Sequence, residues 1–218
     1  MRLLIISDIH SAVSNAEKLG KRLSNAKIDA ILIGGDLSNG GSAETAKEII
    51  SALGFAEILA VPGNMDSKEI LDLLKEKKIC AHKEKKSLGK YTVIGLGGAK
   101  PVNTYYRINL SELEAEKYLR QLSEGENPEK TIVLLHSPPY GTKLSKSDSG
   151  IDLGMRAIRS FIEKFQPLLV VCGHVHEAAG IERIGRTLCL NPGPLSGGFY
   201  AIAEISKDGE INVERCSP

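Results

Sequence analysis

Four of the five histidines in this 218-residue chain stand at or just beyond the end of a short apolar run. "RLLIISDIH" carries Asp8 and His10, "TIVLLH" ends at His136, and "PLLVVCGHVH" carries His174 and His176. Two more runs end on oxygen-bearing side chains, "DAILIGGD" at Asp36 and "EILAVPGN" at Asn64. Singly, each residue has an ordinary explanation, since an Asp after a strand commonly caps the next helix. Together they are two carboxylates, one carboxamide and four imidazoles, all of which can hold a metal. Mixed oxygen and imidazole donors suit Mn, Fe, Co, Ni or Zn better than Ca. Seven donors exceed one tetrahedral site and suit two ions that share a bridging carboxylate. In extended chain, residues i and i+2 point to the same side. Asp8 with His10, and His174 with His176, therefore form pairs able to aim at one ion. The fifth histidine, His82, lies in a Lys-rich stretch and reads as solvated.

Such donors need elements to position them. Runs rich in Ile, Val and Leu and bounded by Gly or Pro read as strands buried on both faces. In open α/β sheets, ligands bind beyond the carboxyl ends of the strands. Helical patterns lie between the runs. Residues 14–27 carry Leu19 and Leu23 on one face, with Ser14 and Glu17 as a capping box. Residues 43–53 form a second pattern, and 67–78 a third, with Ile70, Leu71, Leu73 and Leu74 at helical spacing. Ser111 with Glu114 caps a fourth reaching about residue 123, and 152–165 is a fifth. This alternation predicts a largely parallel sheet with helices against it. The last forty residues differ: "GIERIG", "TLCLNPG", "GFYAIAEIS" and "EINVERC" read as short strands, the last two joined by a turn at Lys207, Asp208 and Gly209. They predict a second, more antiparallel sheet built from the C-terminal half.

Lys and Arg number 28 against 27 Asp and Glu, a net charge of +1. This gives no electrostatic footprint for a nucleic acid or an anionic membrane. No apolar run approaches the roughly 20 residues of a bilayer span, and the run Leu3 to Ile6 is too short for a signal peptide. The four cysteines form no CxxC pair, so the expectation is a reduced, cytoplasmic protein. Cys172 and Cys189 read as small core residues. With no internal repeat and no dividing linker, residues 1–218 read as one domain.

The motifs resemble those of a known family. "DIH" at 8–10, "GGD" ending at 36, "GNMD" at 63–66, "LLHSPPYG" around His136 and "GHVH" at 173–176 are similar, in order and spacing, to the five signatures of the calcineurin-like metallophosphoesterases. "NPGP" at 191–194 is similar to the Asn-Pro-Gly stretch that follows the last histidine pair there. The likeness runs from Met1 to about Pro194 and is greatest to small prokaryotic and archaeal members. It implies a four-layer α/β/β/α sandwich, two facing mixed sheets flanked by helices. It implies that Asp8, His10 and His176 hold one divalent ion, that Asn64, His136 and His174 hold a second, and that Asp36 bridges them. Mn is the favoured metal, with Fe, Ni, Co or Zn as alternatives. The implied nucleophile is a metal-bridging hydroxide, and the implied reaction is hydrolysis of a small phosphate ester, diesters favoured over monoesters. A non-catalytic protein-binding scaffold on the same fold, or a nuclease, are the alternative readings. The second would want a basic groove.

One position departs from the family. Met65 stands where most members carry a His or another polar residue; the family's His contacts the phosphate and can act as general acid, which a thioether cannot do. Asp66, which in the family often orients that His, is then expected to cap the helix that follows, with Glu69. A replacement acid is sought among Tyr105, Tyr106, Arg107, Tyr140, Lys143 and Lys146. Substrate contacts are expected from Asn64, Arg107, Tyr140 and Lys143.

Overall fold

The fold was analysed in a computed structural model that describes residues 1–101 and 107–217. In chain order the elements are β1 (Arg2–Ile6), α1 (Val13–Leu23), β2 (Ala30–Ile33), α2 (Ala43–Ala52), β3 (Glu57–Ala60), α3 (Lys68–Glu76), β4 (Glu84–Leu88), β5 (Tyr91–Leu96), α4 (Glu112–Ser123), β6 (Thr131–Leu135), α5 (Arg156–Phe165), β7 (Leu169–Val171), β8 (Gly180–Ile184), β9 (Thr187–Asn191), β10 (Tyr200–Ile205) and β11 (Ile211–Cys216). Tyr105 and Tyr106 lie outside the described residues.

Two mixed sheets form, in the orders β11-β10-β1-β2-β3 and β4-β5-β6-β7-β9-β8. Strands β1, β2 and β3 run parallel, with Ile5 beside Leu32 and Leu32 beside Leu59. The period of two sorts their side chains between two cores. Leu3, Ile5, Leu32 and Leu59 meet Val93, Ile132, Leu134 and Val171 between the sheets. Leu4, Ile6, Ile31 and Ile33 pack outward under α1, α2 and α3. On the far side, Ile94, Leu96, Val133 and Val170 pack under α4 and α5. Strands β1, β2, β3, β6 and β7 are covered on both faces, which is why each reads as an unbroken apolar run. A fully buried Leu or Ile contributes about 1.5–3 kcal/mol. This is the four-layer sandwich that the resemblance implied.

The partition between sheets differs from the sequence expectation. The five apolar runs do not share one sheet: β1, β2 and β3 lie in one, β6 and β7 in the other. The C-terminal strands do not form a sheet of their own. β10 and β11 extend the first sheet beside β1, while β8 and β9 complete the second beside β7. The apolar β10 supplies the neighbour that β1 needs on its free edge. The sequence reading also missed β4 and β5. "EKKSL" carries the charges of an outer edge strand, which guard it against pairing with other chains.

Helix starts differ too. The Ser111–Glu114 capping box is present at α4, but Ser14 and Glu17 make none. α1 begins at Val13 behind a turn in which His10 and Ser11 both take left-handed backbone, with φ of 49° and 64°. Its first turn is thus set by the chain leaving β1, and Ser14 lies already inside the helix. Among the described residues, no helix is long and apolar enough to cross a membrane.

Candidate metal centre

The carboxyl ends of β1, β2, β3, β6 and β7 converge, and their donors leave the strands abruptly. Asp8, His10, Asp36 and His174 all have left-handed backbone, with φ of 53°, 49°, 52° and 71°. Few non-glycine residues adopt it, and each costs on the order of 1–3 kcal/mol unless the surroundings impose it. Here they do. The Asp8 N–H donates to the Gly35 carbonyl and the His10 N–H to the Asp36 carbonyl, both at 2.9 Å. The His174 N–H donates to the Asp8 carboxylate at 3.1–3.2 Å. Gly63 and Gly173 are required by proximity: a Cβ at either would collide with the Asp36 or the Asp8 carboxylate.

Two groups of donors result. In the first, the Nε2 atoms of His10 and His176 lie 2.9 Å apart, and Asp8 Oδ1 lies 3.9 Å from one and 3.4 Å from the other. In the second, His136 Nε2 lies 2.8 Å from Asn64 Oδ1 and 3.4 Å from Asp36 Oδ2. The His174 ring stands 5.1 Å from the His136 ring, centroid to centroid. Asp36 Oδ2 is also 3.9 Å from His10 Nε2, so one oxygen faces both groups. Asp8 reaches further than the resemblance implied. Its carboxylate clusters with Asp36 and His136 as well as with His10 and His176.

Hydrogen bonding fixes the direction of the lone pairs. His136 Nδ1 lies 2.7 Å from the Gly34 carbonyl, which can only accept. The Nδ1 position therefore carries the proton, and the neutral ring turns a lone pair at Nε2 toward Asn64 Oδ1 and Asp36 Oδ2. Three lone-pair donors then face a common point, which is stable only with a positive centre there. In its absence the proton serves. Burial opposes a charge on His136, but the Asp36 and Asp8 carboxylates outweigh it and push its pKa up to about 9. Burial opposes the Asp8 charge too, yet the His176 hydrogen bond and the His136 and His176 charges hold it well below the usual carboxylate range. Burial and the His136 charge push His174 down to about 4, while the Asp8 hydrogen bond raises His176. The donor set and its convergence fit divalent transition ions. Asp8, Asp36, Asn64 and His136 are buried, whereas the His176 side chain is 43% exposed, which opens the site on the His10 and His176 side.

The neighbouring residues need several corrections. Asp66 caps no helix: the N-cap of α3 is Ser67, whose hydroxyl accepts the Ile70 N–H at 3.4 Å. Asp66 is fully buried and accepts three backbone N–H groups, from Leu37 at 3.2 Å, Ser38 at 2.9 Å and Gly63 at 2.8 Å. Burial and the Asp36 charge push its carboxyl up to about 7, against the three amides, which favour the anion. Met65 is half-buried, and its backbone N–H donates to Asp36 Oδ1 at 2.7 Å.

His82 is buried, not solvated. It bridges to the Gly95 backbone, and its Nδ1 accepts the Gly97 N–H at 2.9 Å. Burial, with the Lys83 and Lys75 charges, pushes its pKa down to about 4. Cys172 and Cys189 are buried, and all four cysteines are free thiols.

Of the expected substrate contacts, Arg107 sits at the rim. Its N–H donates to the Asn64 carbonyl at 2.8 Å, and its guanidinium covers Gly40, where a Cβ would lie 2.8 Å from Nε. Tyr140 is engaged elsewhere, its ring 3.9 Å beneath the Arg156 guanidinium at the start of α5. Lys143 opens a short 3₁₀ turn whose first N–H donates to Glu182, and Lys146 is exposed just after it.

Two facing mixed sheets between helices, with Asp, Asn and His gathered at their strand ends, define a metal-dependent phosphoesterase. Residues 1–178 match the calcineurin-like phosphoesterase family, and the chain belongs to it. An uncharacterized protein of Methanocaldococcus jannaschii is 30% identical over 207 residues, covering 92% of this chain and 91% of its own. A probable cyclic nucleotide phosphodiesterase of Vesicomyosocius okutanii is 27% identical over 175 residues, covering 78% of this chain and 72% of its own. A dimetal phosphatase from Danio rerio superimposes with a TM-score of 0.72 at 12% identity, over 100% of this chain and 96% of its own.

Proposed function

We propose that this chain hydrolyses small phosphodiesters at a centre for two divalent ions, Mn favoured. The observation that carries this reading is the convergence of donors: His10 with His176 around Asp8, and His136 with Asn64 around Asp36 Oδ2. In this reading Asp8, His10 and His176 hold one ion, Asn64, His136 and His174 the other, and Asp36 lies between. Bound there, two such ions would lower the pKa of a water and neutralise the phosphate oxygens of an in-line displacement.

The chain's own residues set the limits of that chemistry. Met65 supplies no proton, so leaving groups that depart as stable anions are favoured. Arg107 stands at the rim as the side chain that meets an anionic substrate. Diesters are preferred on the support of the relative named a probable cyclic nucleotide phosphodiesterase. Left-handed backbone at four donor residues argues against a scaffold, which has no use for such strain. A net charge of +1 argues against dedicated nucleic-acid binding. The four free thiols support a reducing, cytoplasmic setting.

The test is a hydrolysis screen with chelated protein reloaded with Mn or Ni. Bis(p-nitrophenyl) phosphate should be cleaved at least about tenfold faster, in kcat/KM, than p-nitrophenyl phosphate, which expels the same leaving group, a difference of about 1.4 kcal/mol in activation free energy. Faster cleavage of the monoester would overturn the diester assignment.

A further inference from the structure

Asp66 is a fully buried carboxylate with no cationic side chain within 4 Å among the described residues. Removing a carboxylate from water is expensive unless its lone pairs are satisfied. Here the satisfaction is specific. Oδ1 accepts the Ser38 N–H, and Oδ2 accepts the Leu37 and Gly63 N–H groups. Leu37 and Ser38 follow Asp36 directly, and Gly63 precedes Asn64. One carboxylate thus joins the loop after β2, which carries Asp36, to the loop after β3, which carries Asn64.

We infer that Asp66 is a positioning residue that holds Asp36 and Asn64 in the geometry the second ion requires. The inference rests on the metal-centre reading above. Asp36 has left-handed backbone, with φ of 52°, and the two amides that follow it are those Asp66 holds. The same turn aims the Met65 N–H at Asp36 Oδ1, which leaves Oδ2 facing the histidines. Other roles are taken. Ser67 caps α3, and Met65 offers no polar group for Asp66 to orient. This also explains why an acid stands at 66 beside a methionine, since none of its three bonds involves the side chain of residue 65.

The test is Mn binding to the full chain with Asp66→Asn and, as control, Met65→Ala. An amide cannot accept from all three N–H groups, so at least one is left unpaired. Loss of such an outer partner typically lowers metal affinity 10–100-fold. The expected result is a tenfold or greater loss for the second Mn equivalent and less than about threefold for the first, with Met65→Ala unchanged. At two equivalents, electron paramagnetic resonance should show a coupled pair in wild type and isolated Mn in Asp66→Asn. Two ions bound by Asp66→Asn as tightly as by wild type, with the coupled signal, would overturn this inference alone. A wild type that binds no pair would overturn both it and the metal-centre reading. If Asp66→Asn does not fold, hydrogen exchange of the metal-free wild type decides. Leu37, Ser38 and Gly63 amides protected as a group support the clamp, and unprotected exchange overturns it.

Discussion

His136 Nε2 lies 2.8 Å from Asn64 Oδ1 while its Nδ1 is held 2.7 Å from the Gly34 carbonyl. The second contact decides the meaning of the first. With one proton fixed at Nδ1, the neutral imidazole turns a lone pair toward Asn64 Oδ1, and the two acceptors are reconciled by a cation between them or, without one, by a second ring proton at Nε2. The fold builds this arrangement from β2, β3 and β6, which lie in two different sheets.

Replacing His174 by Ala should abolish hydrolysis of bis(p-nitrophenyl) phosphate and leave a folded protein, because its side chain stands at a strand end and is only partly buried. His136→Ala should also abolish activity, but it is the less clean variant. His136 has no solvent exposure, and its loss leaves the Gly34 carbonyl without a donor, at about 1–3 kcal/mol of stability. Rates read beside melting curves check both, and a folded, active His174→Ala would point to a different site.

Met65→His should restore a proton donor near the leaving oxygen. The gain should be small for p-nitrophenyl esters and larger for alkyl esters, because a proton matters in proportion to the charge that builds on that oxygen. The measurement is log rate against leaving-group pKa for both proteins at matched metal content. A shallower slope for Met65→His is expected. Parallel lines would make Met65 a packing residue only.

Arg107→Ala should raise KM for anionic diesters by about tenfold with kcat nearly constant, as expected when a contact equal in ground and transition states is removed. Gly40→Ala should do the same, since the new Cβ would lie 2.8 Å from Arg107 Nε and displace the guanidinium. Steady-state kinetics on both variants decide. An unchanged KM would remove Arg107 from the substrate path.

His82 predicts a pH dependence of stability. Its folded pKa is about 4 against an ordinary 6.5, so the unfolded chain binds the proton more tightly. The stabilisation is complete above about pH 6.5 and is lost as pH falls toward 4. The full effect is about 3 kcal/mol, from 1.36 kcal/mol per pKa unit. Denaturant melts of wild type and His82→Asn should differ most at pH 7.5 and converge toward pH 4.5. A difference independent of pH would contradict the buried, neutral histidine.

The donors were legible in the sequence because each closes an apolar run, and a run buried on both faces has a recognisable end. The allotment of runs to sheets was not legible. β6 and β1 look alike as sequence, and only tertiary pairing separates them. β4 was hidden because an edge strand written "EKKSL" has the polarity of a loop. His82 was misread from its lysine neighbours, which turn outward while the ring turns in. Asp66 left one usable trace. Ser67 is by itself an adequate cap for α3, so the acid before it was surplus to the helix.

The central claim is that two ions share Asp36, and metal stoichiometry tests it most directly. Wild type dialysed against saturating Mn and measured by elemental analysis should hold two ions per chain. Asp36→Asn should hold at most one, bound more weakly. A single ion in wild type, with Asp36→Asn binding it equally well, would contradict the account.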